Sequence, residues 1–164
     1  ALRFVKEFKC GQSMESLVFS GEVGCGKSHL AAGIGNALLE DRREVRFENT
    51  ANLFRTIRAS WNEGGPNDPI TGLLAADLII LDDLGAEDSK QPWQVEAIYR
   101  LVNERLVHGG PMLITTNQRS AAAMTEAVGD RVTDRILEKS KWIDIKAESL
   151  RTEKFLERRK DGTD

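Results

Sequence analysis

The chain has 164 residues, 40% hydrophobic and 30% charged, with a net charge of −3. That suffices for one domain around one core, and the acidic balance argues against a protein that coats nucleic acid by bulk electrostatics, because phosphate contacts need clustered Lys and Arg. No apolar run approaches membrane-spanning length and residues 1–6 lack the apolar core of a signal peptide, so a cytoplasmic protein without membrane contact is expected.

Two cysteines, Cys10 and Cys25, are too few for a disulfide framework or a zinc site. Basic residues gather locally, at Arg42, Arg43, Arg46, Arg55 and Arg58, and again from Arg151 to Lys160. The chain starts without Met in what reads as the middle of a helix, so the single domain 1–164 is expected to be a fragment.

Residues 2–8 read as a short amphipathic helix with Leu2, Phe4, Val5 and Phe8 facing in, placed to flank a bound base; a strand is predicted at about 17–19. Next comes Gly21-Glu22-Val23-Gly24-Cys25-Gly26-Lys27-Ser28, which fits GxxxxGK[ST] in the strand, loop, helix order that pattern needs. Glycines at 21, 24 and 26 free the backbone to turn successive N–H groups around phosphate oxygens. Lys27 can then reach the β- and γ-phosphates of ATP, Ser28 can ligate Mg²⁺, and the following helix aims its positive end at the same charge.

That helix carries Leu30, Ala31, Ile34, Ala37 and Leu38 on one face. Val45-Arg46-Phe47 alternates as a strand, and Asn49-Thr50 caps a helix burying Leu53, Phe54, Ile57 and Trp61. Arg55 and Arg58 fall on its polar side, where contact with DNA phosphates competes with plain solvation or pairing with Glu63. A breaker-rich loop over 63–69 precedes one or two helical turns from Ile70 to Ala76.

Asp77 to Asp83 is a continuous apolar run closing in two acids, as in a strand buried on both faces of a parallel sheet. Its carboxylates emerge at the C-terminal edge, where open α/β sheets bind ligands. Asp82 is therefore expected beside the Mg²⁺ and Asp83 near the γ-phosphate; without the loop upstream, a plain polar turn would be the better reading. Pro92 opens a long helix that stops at Gly109-Gly110-Pro111. Met112 to Thr116 is a further strand, ending in Asn117, whose amide can orient an attacking water, although turn chemistry alone explains a polar residue there.

Ser120 to Lys139 is predicted helical with a break near Gly129, and Arg131 and Arg135, four apart, project from one face. An arginine beside a triphosphate stabilises charge that develops during transfer, and a neighbouring subunit can supply it. Spacing alone favours local pairing with Asp130, Asp134 or Glu138. Trp142 to Ile145 alternates as a last strand, before a charged helix from Thr152 to Lys160.

Alternating strands and helices after a phosphate loop predict an α/β fold, a three-layer α/β/α domain with a parallel sheet of about five strands. The chain resembles the AAA+ domain of bacterial DnaC/DnaI-type replicative helicase loaders and the related IstB transposition ATPases. The resemblance rests on the loop through His29-Leu30-Ala31-Ala32, Leu81-Asp82-Asp83-Leu84-Gly85, Thr116-Asn117, Gly129-Asp130-Arg131-Val132-Thr133-Asp134-Arg135, and Ser149-Leu150-Arg151.

It implies a P-loop NTPase core with no separate helical lid domain. Residues 21–29 would hold the nucleotide, Asn117 would be sensor one, Arg131 or Arg135 an arginine finger, and Arg151 a second sensor. Asp83 departs from the general AAA+ pattern, where the base is Glu; loaders and IstB proteins often have Asp there. Residues 52–76 resemble an extra helical element shared with the initiator DnaA, where it faces single-stranded DNA. The resemblance thus implies a weak ATPase stimulated by DNA or a partner. It would form an ATP-dependent homo-oligomer, grip single-stranded DNA and load a replicative DNA helicase bound through a missing N-terminal region. The alternatives are an IstB-like helper that binds duplex DNA and partners a transposase, and a small-molecule P-loop kinase, for which the chain offers no acceptor site or arginine-rich lid.

Overall fold

Short β-branched and leucine-rich stretches, each fenced by turn residues, become strands, and the 3.6-spaced stretches between them become helices. The computed structural model describes residues 2–9, 15–63, 68–86, 91–108 and 110–147. In chain order these form α1 (Leu2–Lys9), β1 (Ser16–Gly21), α2 (Lys27–Leu39), β2 (Val45–Asn49), α3 (Thr50–Glu63), α4 (Pro69–Leu74) and β3 (Leu78–Leu84). There follow α5 (Pro92–Val107), β4 (Met112–Thr116), α6 (Ala121–Val128), α7 (Asp130–Lys139) and β5 (Ser140–Ile145).

All strand pairs are parallel, in the order β2-β3-β4-β1-β5. The predicted three-layer sheet of five strands is therefore what forms. Alternate residues of the central strands feed two cores: Leu17, Phe19, Leu78, Ile80 and Leu113 meet α1 and α2. Val18, Ile79, Leu81, Met112 and Ile114 meet the helices from α3 to α7. Strand order matters more for the site than the cores do, because β4 lies between β1 and β3 and so brings three strand ends side by side.

Local chemistry sets the element boundaries. Asp68 accepts the Ile70 amide at 3.1 Å as the cap of α4, with Pro69 in the first turn. Burial opposes its charge, yet the Ile70 amide, the Arg100 guanidinium and the Thr71 hydroxyl together hold the Asp68 carboxyl below its ordinary range. Gln91 and Gln94 form a reciprocal cap on α5. Gly129, at φ 90°, breaks the chain between α6 and α7 where the sequence predicts it.

Three expected burials fail. Leu2 is 88% exposed, because α1 turns only Phe4 and Phe8 fully inward. Leu30 is exposed, since the buried stripe of α2 runs through Ala31, Ile34 and Leu38. Trp61 is 58% exposed: it sits in the last turn of α3, beyond the reach of the core that covers Leu53, Phe54 and Ile57. It meets Trp93 edge to face at 5.0 Å, and Trp93 meets Phe54 at 5.5 Å. Residues 148–164, with the predicted terminal helix, Arg151 and the lid question, lie outside the described residues.

Candidate functional site

At the C-terminal edge of the sheet the β1–α2 loop faces the ends of β2, β3 and β4 across a cavity of about 570 Å³. Val23, Gly24, Gly26, Lys27, Ser28 and His29 line it from the loop side, and Asn49, Asp82, Asp83 and Asn117 from the strand ends. Gly24 and Gly26 have φ of 87° and 94°, the left-handed region in which a side chain is strained. Gly26 thereby caps α2 and directs its free amides at the cavity.

Lys27 is only 6% exposed. Its ammonium donates to the carbonyls of Gly21 at 2.9 Å and Glu22 at 2.8 Å, and lies 3.8 Å from the Cys25 sulfur. Among the described residues it forms no ion pair. A buried cation held by neutral carbonyls beside an open cavity is a charge that needs an anion. Gly21, Glu22 and Cys25, all predicted as ligand-binding, do not line the cavity: the first two supply Lys27 with carbonyls, and Cys25 is buried beneath the loop.

Opposite, the end of β3 carries one residue more than β4. Leu81 pairs with Ile114 and Leu84 with Thr116, so Asp82 and Asp83 both oppose Thr115. Asp83 takes φ 64°, a strained conformation for a residue with a side chain. The strand ends clasp it: Asn117 Nδ2 donates to Asp83 Oδ1 at 3.2 Å, Thr115 Oγ1 donates to Asp82 Oδ1 at 2.6 Å, and the Asp83 amide donates to Thr115 Oγ1 at 2.9 Å. Thr50 and Thr116 hold the carbonyls of Asp82 and Leu84 at 3.0 and 2.7 Å. Ser28 and Asp82, a hydroxyl and a carboxylate lining one cavity, fit a hard oxygen-seeking cation such as Mg²⁺. No group of three or more His, Cys, Asp or Glu is placed to hold a metal among the described residues.

The two α7 arginines are not among the residues that line the cavity. Arg135 pairs with Glu138 at 3.1 Å, the local partner that spacing favours, while Arg131 lies 4.1 Å above the Tyr99 ring of α5, a contact no local spacing reveals. Arg55 and Arg58 are exposed on α3, and Arg55 donates to Asn52 at 2.9 Å. Glu63's side chain and Arg151 lie outside the described residues. Thr115 and Arg119 escape the sequence reading, and Asn49, read there as a helix cap and accepting the Ala51 amide at 3.1 Å, also lines the cavity. Arg119 bridges Glu22 of the loop, 3.2 Å, and Asp144 of β5, 3.6 Å.

A parallel sheet in this order, with a glycine loop after its β1 strand and two acids at the end of β3, is the fold of the P-loop AAA+ NTPases. The crystal structure of the DnaC helicase loader matches it with a TM-score of 0.77 and 28% identity, over 88% of either chain. The chain belongs to the family of IstB-like ATP binding proteins, whose model matches residues 3–158.

Among relatives, the replicative helicase loader DnaC of Escherichia coli (strain K12) is 29% identical over 155 residues, 93% of this chain and 62% of that protein. The uncharacterized protein YdaV of the same strain is 31% identical over 138 residues, 83% of this chain and 55% of that protein. The chain thus spans somewhat over half the length of these curated relatives. No helix among the described residues is long and apolar enough to cross a membrane.

Proposed function

We propose that this chain is the ATP-binding, slowly hydrolysing AAA+ domain of a helicase loader, which assembles with further copies on ATP and holds single-stranded DNA for a replicative DNA helicase. One observation carries the reading: the buried Lys27 ammonium, without an ion pair among the described residues, shares one cavity with the carboxylates of Asp82 and Asp83 and the amides of Asn49 and Asn117. In this reading the Gly24 and Gly26 backbone admits the phosphates. Lys27 exchanges its carbonyl partners for β- and γ-oxygens, and Ser28 and Asp82 hold Mg²⁺. When bound, the ion neutralises charge on the β- and γ-phosphate oxygens.

Asp83 accepts the proton of the attacking water, oriented by the Asn117 amide that already holds its Oδ1. Its carboxylate reaches one methylene less far than a glutamate, which supports slow turnover. Arg131 or Arg135 acts as a finger on the site of a neighbouring copy, because neither lines its own cavity; Arg151 serves as a second sensor. On α3, exposed Arg55, Arg58 and Trp61 offer phosphate contacts and one base-stacking ring, a combination suited to single strands. The family match favours a second reading, an IstB-type helper acting on duplex DNA.

ATP turnover without any small-molecule acceptor, measured with single-stranded and with duplex DNA, separates these readings. Stimulation by single strands is expected. Replacing Arg55 and Arg58 by Ala should flatten the slope of log K against log salt by about 0.7 per lost contact. Stimulation by duplex alone would favour the helper, and turnover that requires an acceptor would favour a kinase.

A further inference from the structure

The extra residue in β3 has a chemical counterpart in β4. Because Asp82 and Asp83 oppose a single residue, both must find partners in Thr115, and its hydroxyl serves each in the one way it can. The proton goes to Asp82 Oδ1 at 2.6 Å, and an oxygen lone pair receives the Asp83 amide at 2.9 Å. Thr115 is 1% exposed, so water does not substitute for either bond. One bond fixes the rotation of the Asp82 carboxyl and leaves Oδ2 free of it. The other holds Asp83 at φ 64°, the conformation in which Asn117 reaches its carboxylate.

We propose that Thr115 is the positioning residue of the cation and water sites: its hydroxyl sets Asp82 to receive Mg²⁺ and Asp83 to receive the water proton. This rests on the nucleotide-binding reading above. Thr115 itself does not line the cavity. Residues that orient a metal ligand from behind are typically worth about tenfold to a hundredfold in metal affinity, and the same scale is expected here.

The test compares Thr115→Val, which keeps the shape and removes the hydroxyl, with Thr115→Ser, which keeps the hydroxyl. A non-hydrolysable ATP analogue is titrated into each folded protein with Mg²⁺ and with EDTA. In wild type and Thr115→Ser, Mg²⁺ should strengthen binding alike; in Thr115→Val that gain should shrink about tenfold to a hundredfold, with affinity in EDTA unchanged. A Thr115→Val protein with the full Mg²⁺ gain overturns the inference, while a wild type that binds no nucleotide sinks the underlying reading and Thr115's role with it. A ligand-free measurement stands if Thr115→Val fails to fold: the Asp83 amide of the wild type should resist hydrogen exchange, and an unprotected amide there overturns the proposal.

Discussion

The two edges of the sheet spend their buried polar groups in opposite ways. At the N-terminal edge Arg105, at the end of α5, is buried, and its guanidinium donates to the carbonyls of Leu74 at 3.0 Å, Asp77 at 2.6 Å and Pro111 at 3.4 Å. Burial pushes its pKa down, partly offset by Asp77. Gly110 leaves it room, since a Cβ there would lie 2.2 Å from the guanidinium carbon. Ser16 accepts the Met112 amide at 2.9 Å. Here the polar atoms described close on their own backbone.

At the C-terminal edge Lys27 has no ion pair among the described residues, Asp83 carries strain, and two carboxylates and two amides line a cavity. The contrast separates groups that hold the fold from groups held by it. In open α/β sheets ligands bind at the second kind of edge.

Breaking each edge should therefore move different observables. The largest loss of stability is expected from Arg105→Ala, which strands carbonyls of α4 and of the segments entering β3 and β4. Leaving buried acceptors unpaired costs about 3 kcal/mol in all, which lowers Tm by about 6–12 °C in a domain of this size. Nucleotide affinity of the folded fraction should stay at the wild-type value. A smaller effect, in the reverse sense, is expected at Asp83. Asp83→Gly should exceed Asp83→Ala in stability by about 1 kcal/mol, since only glycine takes φ 64° without a Cβ penalty. Both should lose turnover, and equal stabilities in chemical denaturation would mean that this end of β3 stores no strain.

Much of this division was legible beforehand, for reasons that particular residues make plain. The phosphate loop is a local pattern, and Asp82-Asp83 closing an apolar run is a local pattern too, so chain position alone puts both at strand ends. Thr115 is different. Inside an apolar strand a threonine reads as β-propensity, and only the pairing of β4 with β3 and the extra residue before Leu84 give its hydroxyl a task.

Arg119 follows a strand end as an ordinary loop arginine until β5 lies beside β1 and brings Asp144 within 3.6 Å. Trp61 and Leu2 mislead in the other direction: helical spacing predicts which face they share, but not where the covering layer stops. Arg131 leans on Tyr99, a residue of another helix, which no spacing within α7 encodes.

The central claim is that Lys27 and its cavity bind a nucleotide without supporting the fold. Chemical unfolding of wild type, Lys27→Ala and Arg105→Ala, each with and without Mg²⁺ and ATP at about a hundred times the wild-type dissociation constant, tests it most directly. Linkage predicts a gain of about 2.7 kcal/mol for a single site at that concentration. The gain should be present in wild type and in Arg105→Ala, whose stability without ligand is reduced. It should be absent in Lys27→Ala, which remains folded without ligand. An undiminished gain in Lys27→Ala, or its loss in a folded Arg105→Ala, would contradict the account.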